Sequence, residues 1–318
     1  MVLTTLAHHI DVDWLAEAYR RTRKGAAPGV DGVTAAEYEQ DLERNLSSLL
    51  DRFKSGEYRA PSVRRVYIEK PGQPSKRRPI GIPTLEDKVL QRAVLMVLEP
   101  IYEQDFLDCS YGFRPGRSAH DAVRTLDRVV HRGHVNWILE ADIVSFFDSL
   151  DRKKLKEMLE IRVADGSLLR LVGKCLHVGV LDGVELSTQD TGTAQGSVLS
   201  PLLGNIYLHT VLDLWFEREV KPRLRGRATL IRYADDFIIG FEEEEDARRV
   251  MDVLGMRLGR FGLTLHPDKT RLLPFRRPPA GQKSGKGPAT FDFLGFTLYW
   301  ARSRKGRWGM LCKTRSAS

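Results

Sequence analysis

Cysteine is scarce in this sequence. Its three copies, Cys109, Cys175 and Cys312, are far apart and form no CxxC pair. That excludes a disulfide framework and suits a reducing, cytoplasmic setting. The eight histidines show no ligand spacing, so a zinc site has no support. No stretch approaches 18 uncharged apolar residues, which excludes a transmembrane helix and argues against a membrane partner. The N-terminus, MVLTTLAHHIDVDW, lacks a charged leader and a small-residue cleavage site, so no secretion signal is read there. Acids are outnumbered: 42 Asp and Glu face 50 Lys and Arg, a net charge of +8. Such a balance favours a polyanionic partner, most often nucleic acid.

The excess of positive charge is uneven. Residues 63–92 carry Arg64, Arg65, Lys70, Lys76, Arg77, Arg78, Lys88 and Arg92 against Glu69, Glu86 and Asp87. Residues 276–307 carry eight Lys or Arg and one acid, Asp292. Either segment alone reads as a solvated loop; two of them suggest a long polyanion lying across the protein.

Along the chain, Thr34 and Glu37 make a capping box that opens a helix over 34–54. VRRVYI (63–68) reads as a strand, PGQPSKRRP (71–79) as a basic loop. A helix spans about 85–103, and SYGFRPGRS (110–118) is a loop leading to another helix. VNWILEADI (135–143) is a strand, followed by helices in roughly 150–178. Ser200-Pro201 starts a long helix running to about 220. Residues 228–241 form a hairpin turning at Ala234–Asp235. EEEED (242–246) opens a helix, and strands are expected at 291–300 and 307–312. The order from 135 onward implies a mixed sheet with helices on one face, an α+β layer.

The hairpin LIRYADDFIIGF (230–241) sets two adjacent aspartates, Asp235 and Asp236, in an apolar run. Burying one unpaired carboxylate is costly, and two neighbours also repel each other. A turn alone explains the pair, because aspartate favours turns. Asp142 shifts the balance. It ends the apolar run WILEAD, poorly placed for a core and well placed for a site above a sheet. If strand 137–142 lies beside the hairpin, Asp142, Asp235 and Asp236 converge. Carboxylates that close need cations, and hard oxygen donors completed by substrate phosphates point to Mg²⁺. Two ions about 3.5–4 Å apart form the clamp used for in-line nucleotidyl transfer. Upstream, GTAQGSVLSPLLGN (192–205) adds a loop in which Gly196 lets backbone approach a ligand and Gln195 offers its amide.

With these residues in hand, the sequence resembles the reverse transcriptases encoded by bacterial group II introns, over about residues 25–315. APGVDG, RRPIGIPTLEDKVLQRAV, SYGFRPGRSAHDAV, ADIVSFFDSL, GTAQGSVLSPLLGNIYL, RYADDFIIGF, HPDKT and FDFLGFTLYW are similar to that family's motifs and stand in its order. The resemblance implies a right-hand polymerase, with a ferredoxin-like palm sheet and mostly helical fingers. Fingers are expected over 1–130, palm over 131–154, an insertion over 155–200, and palm again over 201–318.

Carried over by position, the resemblance implies that Asp142, Asp235 and Asp236 hold two Mg²⁺ ions, with Mn²⁺ as a substitute and the Ile143 carbonyl as a further ligand. Lys70 and Arg78 would hold the incoming triphosphate. Phe147 would act as the gate against a 2′-hydroxyl, and Gln195 would contact the nucleotide or template base. Lys269 would protonate the leaving pyrophosphate. Tyr233, Phe293, Leu294 and Gly295 would contact primer and template. Plainer readings stand beside these: exposed charge for Lys70, Arg78 and Lys269, core packing for Phe147 and Phe293, a helix cap for Gln195.

The partners implied are an RNA template, a DNA or RNA primer, dNTPs and group II intron RNA, with oligomeric state open between monomer and homodimer. The chain stops about twenty residues after Phe296, so the family's thumb, maturase and endonuclease segments are expected to be absent. Two alternatives remain: an RNA-binding maturase-type module, and a reverse transcriptase of retron, diversity-generating or CRISPR-associated setting.

Overall fold

The computed structural model describes residues 1–70, 73–182, 185–187, 192, 196–279, 289–303 and 306–314, without the side chains of residues 70, 73–76, 78 and 185–187. Its helices in chain order are α1 (Val12–Arg21), α2 (Ala35–Glu39), α3 (Leu42–Lys54), α4 (Leu85–Tyr102), α5 (Ala119–His131), α6 (Phe146–Ser149), α7 (Arg152–Glu160), α8 (Gly166–Leu176), α9 (Ser200–Leu208) and α10 (Glu244–Gly259). Its strands are β1 (Val63–Lys70), β2 (Gln73–Ile82), β3 (Trp137–Ala141), β4 (Val180–Asp182), β5 (Glu185–Ser187), β6 (Ala228–Tyr233), β7 (Asp236–Phe241), β8 (Arg271–Pro274), β9 (Phe291–Phe293), β10 (Phe296–Arg302) and β11 (Trp308–Thr314).

Two compact units interleave along the chain: Met1–Asp105 with Phe147–Ile206, and Phe106–Phe146 with Tyr207–Ser318. Their boundaries fall at 105/106, 146/147 and 206/207, against 130/131, 154/155 and 200/201 in the sequence reading. Helix α5 accounts for the first difference. Its Ala122, Val123, Leu126 and Val130 are buried with Ile138, Ile231 and Ile238 of the second unit's sheet.

In the first unit the expected helix over 34–54 is two helices, broken at Gln40–Asp41, with the Thr34–Glu37 capping box in place. The expected basic loop at 71–79 is instead largely strand β2, paired antiparallel with β1 from Arg64↔Ile82 to Glu69↔Arg77. It is the outer strand of the order β2-β1-β4-β5, and edges tolerate the charges and prolines that central strands reject.

Helix α4 is the most enclosed helix of this unit, so its polar side chains need partners. Asp87, fully buried, accepts from the Tyr58 hydroxyl (2.9 Å) and from Gln91 Nε2 (2.8 Å). Gln91 Oε1 in turn accepts from Ser197 Oγ (2.7 Å) and the Val198 N–H (2.8 Å). Through this chain of bonds, helix α4 anchors the glycine loop that precedes α9.

Burial pushes the Asp87 carboxyl up to about 6 from 3.8, against the lowering effect of its Tyr58 and Gln91 bonds. The folded state therefore binds this proton more tightly than the unfolded chain. The stability it contributes is complete below 3.8 and is lost as pH rises through about 6. A shift of that size corresponds to about 3 kcal/mol. Asp87→Asn, neutral at every pH, is expected to gain on the wild type by about that amount between about pH 4 and about pH 7. Urea midpoints across that range check it, and parallel curves for the two proteins would refute it.

The second unit is built on a four-stranded sheet in the order β6-β7-β3-β8. All three of its pairings are antiparallel, where a mixed sheet was expected. One face packs on α5 and on the three-stranded sheet β11-β10-β9, sharing a core that includes Phe275, Phe291, Leu298 and Trp300. Leu139, Leu230 and Ile239, which alternate to the other face, are buried as well, and Val250, Leu254 and Leu258 of α10 bury its apolar stripe. The expected helix layer is therefore joined by a second cover, and the sheet is enclosed on both sides. After α9, the chain continues in five-residue π-helical segments, His209–Asp213 and Phe216–Val220, rather than as one long α-helix. Among the described residues, no helix is long and apolar enough to cross a membrane.

Candidate active site

Strands β6 and β7 pair from Ala228↔Phe241 to Tyr233↔Asp236, leaving a two-residue turn of Ala234 and Asp235. Ala234 lies at φ +57, the left-handed conformation that tight hairpins require at their first turn residue. Strand β3 lies on the other side of β7, paired from Trp137↔Phe241 to Ala141↔Phe237. One step further along this register, Asp142 falls across from Asp236. The sheet thus delivers Asp142, Asp235 and Asp236 to the same end of two neighbouring strands, about 4.8 Å apart by sheet geometry.

Asp142 is held from both sides. Its carbonyl accepts from the His266 N–H (2.8 Å), and Val144 N–H bonds Thr264 O (2.9 Å), so the chain after β3 runs alongside residues 264–266. Ile143, buried, bridges to Leu265. The Asp142 carboxylate, 17 % exposed, is ion-paired with the ammonium of Lys269, which sits in the turn that follows. Lys269 is thus both an exposed lysine, as the plainer reading had it, and a cation paired with the Asp142 carboxylate.

The residues expected to contact the primer also fall in this unit. Phe293 is buried in the core shared by the two sheets, with Tyr233 and Leu294 packed against it. Leu294 and Gly295 form the two-residue turn between β9 and β10, at φ +54 and +79. A leucine in that conformation is strained by about 1–3 kcal/mol. Phe113 (φ +57) and Ser145 (φ +45) complete the positive-φ non-glycine residues of the described chain; all four belong to the second unit. The Phe113 and Tyr233 rings lie 6.3 Å apart. Strain of this kind concentrates where geometry is dictated by chemistry rather than by packing.

Of the residues expected to contact the nucleotide, Lys70, Arg78 and Phe147 fall within the first unit. Lys70 ends β1 opposite Gln73, and Arg78 lies in β2 opposite Ile68, but their side chains are outside the description, as is all of Gln195. Phe147, half-buried, lies in the short helix α6, where the first unit resumes.

The sequence reading missed three residues beneath the turn. Arg232, the last residue but one of β6, is fully buried and donates from Nε and Nη2 to the two oxygens of Asp213 (2.8 and 2.6 Å). It also donates to Ser110 Oγ (2.8 Å) and to the Ala234 carbonyl (3.0 Å). Burial alone would make the guanidinium easier to deprotonate, but the charge and bonds of Asp213 outweigh it, with Asp235 adding in the same sense; the pKa is raised. The missed signal was a charged residue in each of two apolar runs, LIRYADD and HTVLDLWF, a pattern that calls for a buried partner.

Residues 68–298 match the family described as reverse transcriptase (RNA-dependent DNA polymerase). The chain belongs to the reverse transcriptase family. It is 36% identical over 330 residues to Protein YkfC of Escherichia coli strain K12, covering 92% of this chain and 82% of that one. It is also 35% identical over 252 residues to the group II intron-encoded protein LtrA of Lactococcus lactis subsp. cremoris, covering 76% of this chain but 41% of LtrA. Among solved structures, telomerase from Candida albicans, in complex with a fragment of telomeric RNA, matches with a TM-score of 0.55. That match has 18% identity and covers 77% of this chain and 46% of that one. At that identity the likeness speaks for the fold, the α+β right-hand polymerase class. Membership of the reverse transcriptase family makes the chain an RNA-directed DNA polymerase and implies divalent-metal dependence, with an RNA template and a primer as partners.

The donor set fits a hard divalent ion. Among the described residues, no three His, Cys, Asp or Glu side chains are grouped tightly enough to hold a metal by themselves. Mg²⁺ does not demand such a cage; it is held by one or two carboxylates together with substrate phosphates. Carboxylate oxygens at a sheet end, one already carrying an ammonium ion, are donors of that type.

Proposed function

We propose that this chain is the polymerising core of a group II intron-type reverse transcriptase, which extends a primer with dNTPs on an RNA template. The observation that carries the reading is the register that sets Asp142 across from Asp236, beside a strained turn bearing Asp235. In this reading the second unit is the palm and the first the fingers.

Asp142, Asp235 and Asp236, with the Ile143 carbonyl, would hold two Mg²⁺. When bound, the ions would favour the primer 3′-alkoxide and neutralise charge on the pyrophosphate. Around them, the chain's own groups position and discriminate. Lys269, held at Asp142, is the proton donor to the leaving pyrophosphate, which requires it to leave that ion pair as substrate enters. Lys70 and Arg78 neutralise the triphosphate, and Gln195 contacts the nucleotide or its template base. Phe147 closes the space that a ribose 2′-hydroxyl would need. Tyr233, Phe293, Leu294 and Gly295 hold the primer end, and the basic segments track the template–primer backbone, with affinity falling as salt rises. The RNA this enzyme serves in the cell is, by likeness to LtrA, group II intron RNA, and its three unpaired cysteines suit work in the cytoplasm.

The purified chain, given an annealed RNA template and DNA primer, dNTPs and Mg²⁺, is expected to extend the primer to the template end. Omitting the divalent ion should stop extension, and a folded preparation that cannot extend under any divalent ion would reject the reading.

A further inference from the structure

The buried pair beneath the turn has no stability argument in its favour. Asp213 and Arg232 are both 0 % exposed. An ion pair so enclosed gives up hydration that its mutual attraction only about repays, and apolar residues of similar size do as well or better. The pair's remaining contacts point elsewhere. Arg232 Nη1 holds the carbonyl of Ala234, the residue at φ +57 that immediately precedes Asp235.

The same turn is gripped from a second direction by the loop SYGFRPGRS. The Tyr111 N–H donates to Arg232 O and the Arg232 N–H to Cys109 O, both at 2.8 Å, so this loop extends the sheet beside β6. Arg114, itself buried, donates to the carbonyls of Leu107 (2.8 Å) and Ser110 (2.9 Å) and braces the loop from within. Gly112 is seated so closely that a Cβ there would lie 2.3 Å from the Ala234 nitrogen. Ser110 joins the two devices, because its hydroxyl accepts from Arg232 Nη2.

We propose that Asp213 and Arg232 are positioning residues for polymerisation: bonded to each other, to Ser110 and to the Ala234 carbonyl, they lock the Ala234–Asp235 turn and so aim the Asp235 carboxylate. Asp213 closes a π-helical segment, a local rewinding that occurs often at functional sites. The inference rests on the reading of Asp235 as a catalytic carboxylate. Its tests separate the two.

The double variant Asp213→Leu/Arg232→Met replaces the pair with apolar side chains of similar length. It is expected to unfold at a urea midpoint no lower than the wild type's. Its kcat for primer extension should fall on the order of 10- to 100-fold, since misplacing a catalytic group by about 1 Å costs on that order, while the KM for dNTP stays within about threefold. A purely structural pair predicts the reverse, recovery of kcat along with stability. Arg232→Lys is the second variant. Its ammonium keeps the charge, but with three donors at one point it cannot reproduce the planar fork that makes four bonds to Asp213, Ser110 and Ala234, so it should stay folded with a lowered kcat and unchanged KM. Wild-type kcat in either folded variant overturns the proposal, and so does failure of both to fold, which would make the pair structural. Full activity in Asp235→Asn would instead reject the reading on which the proposal stands.

Discussion

Asp235→Ala is expected to abolish templated primer extension, lowering its rate by roughly a thousandfold or more, while the protein stays folded. The magnitude follows from the charge stabilisation an ion supplies at a phosphoryl centre, several kcal/mol, at about 1.4 kcal/mol for each factor of ten. The preserved fold follows from position. Asp235 lies in the two-residue turn, half-exposed, at the edge of the unit rather than within its core. Its removal relieves the repulsion from Asp236 but gives up its attraction to the buried Arg232, so the urea midpoint should stay close to the wild type's. Asp236 is exposed, at the first position of β7, so Asp236→Ala should leave stability equally intact and serve as the matched comparison. Single-turnover extension on an RNA template, with thermal melting of each variant, reads both quantities. An Asp235→Ala protein that keeps more than about a tenth of the wild-type rate would remove Asp235 from the catalytic set.

Local signals were read most faithfully where they had one physical cause. The Thr34–Glu37 capping box depends on side chains bonding nearby backbone, and the turn at Ala234–Asp235 on the preference of aspartate for turns; both stand in the structure. Strand β2 was read as a loop because its prolines and basic residues argue against a strand; it forms because it is an edge, which composition alone does not report. The π-helical segments after α9 were invisible for another reason. Their sequence has an apolar period close enough to an ordinary helix, and the rewinding is set by tertiary demands such as the burial of Asp213 against Arg232.

The carboxylate end of the site was legible because an acid at the end of an apolar strand is anomalous by itself. The pair that braces it was not, because Arg232 and Asp213 are anomalous only together and stand 19 residues apart. The conflict first seen in LIRYADDFIIGF was also assigned to cations alone. The structure adds a protein charge, the buried Arg232, directly beneath the turn.

Gly196→Ala is expected to be the most damaging single methyl group in the first unit. Gly196 lies at φ +107, a conformation that side chains other than glycine's rarely adopt, and the Cβ of an alanine would lie 2.2 Å from the Gly81 carbonyl oxygen of β2. Both partners are backbone, so neither can swing aside. The Gly196 side cannot retreat, because Ser197 and Val198 are bonded to Gln91 in the enclosed helix α4. The Gly81 side is tied into the hairpin opposite Arg65. Backbone strain of about 1–3 kcal/mol and overpacking of about 1–3 kcal/mol add to roughly 2–6 kcal/mol, a large part of the roughly 5–15 kcal/mol that holds a typical domain. The urea midpoint should fall accordingly. Where the variant remains folded, the dNTP KM should rise more than kcat falls, because the residue displaced with Gly196 is Gln195, the proposed nucleotide contact. A Gly196→Ala protein with wild-type midpoint and wild-type KM would show that the loop yields at no cost, and would release Gln195 from that role.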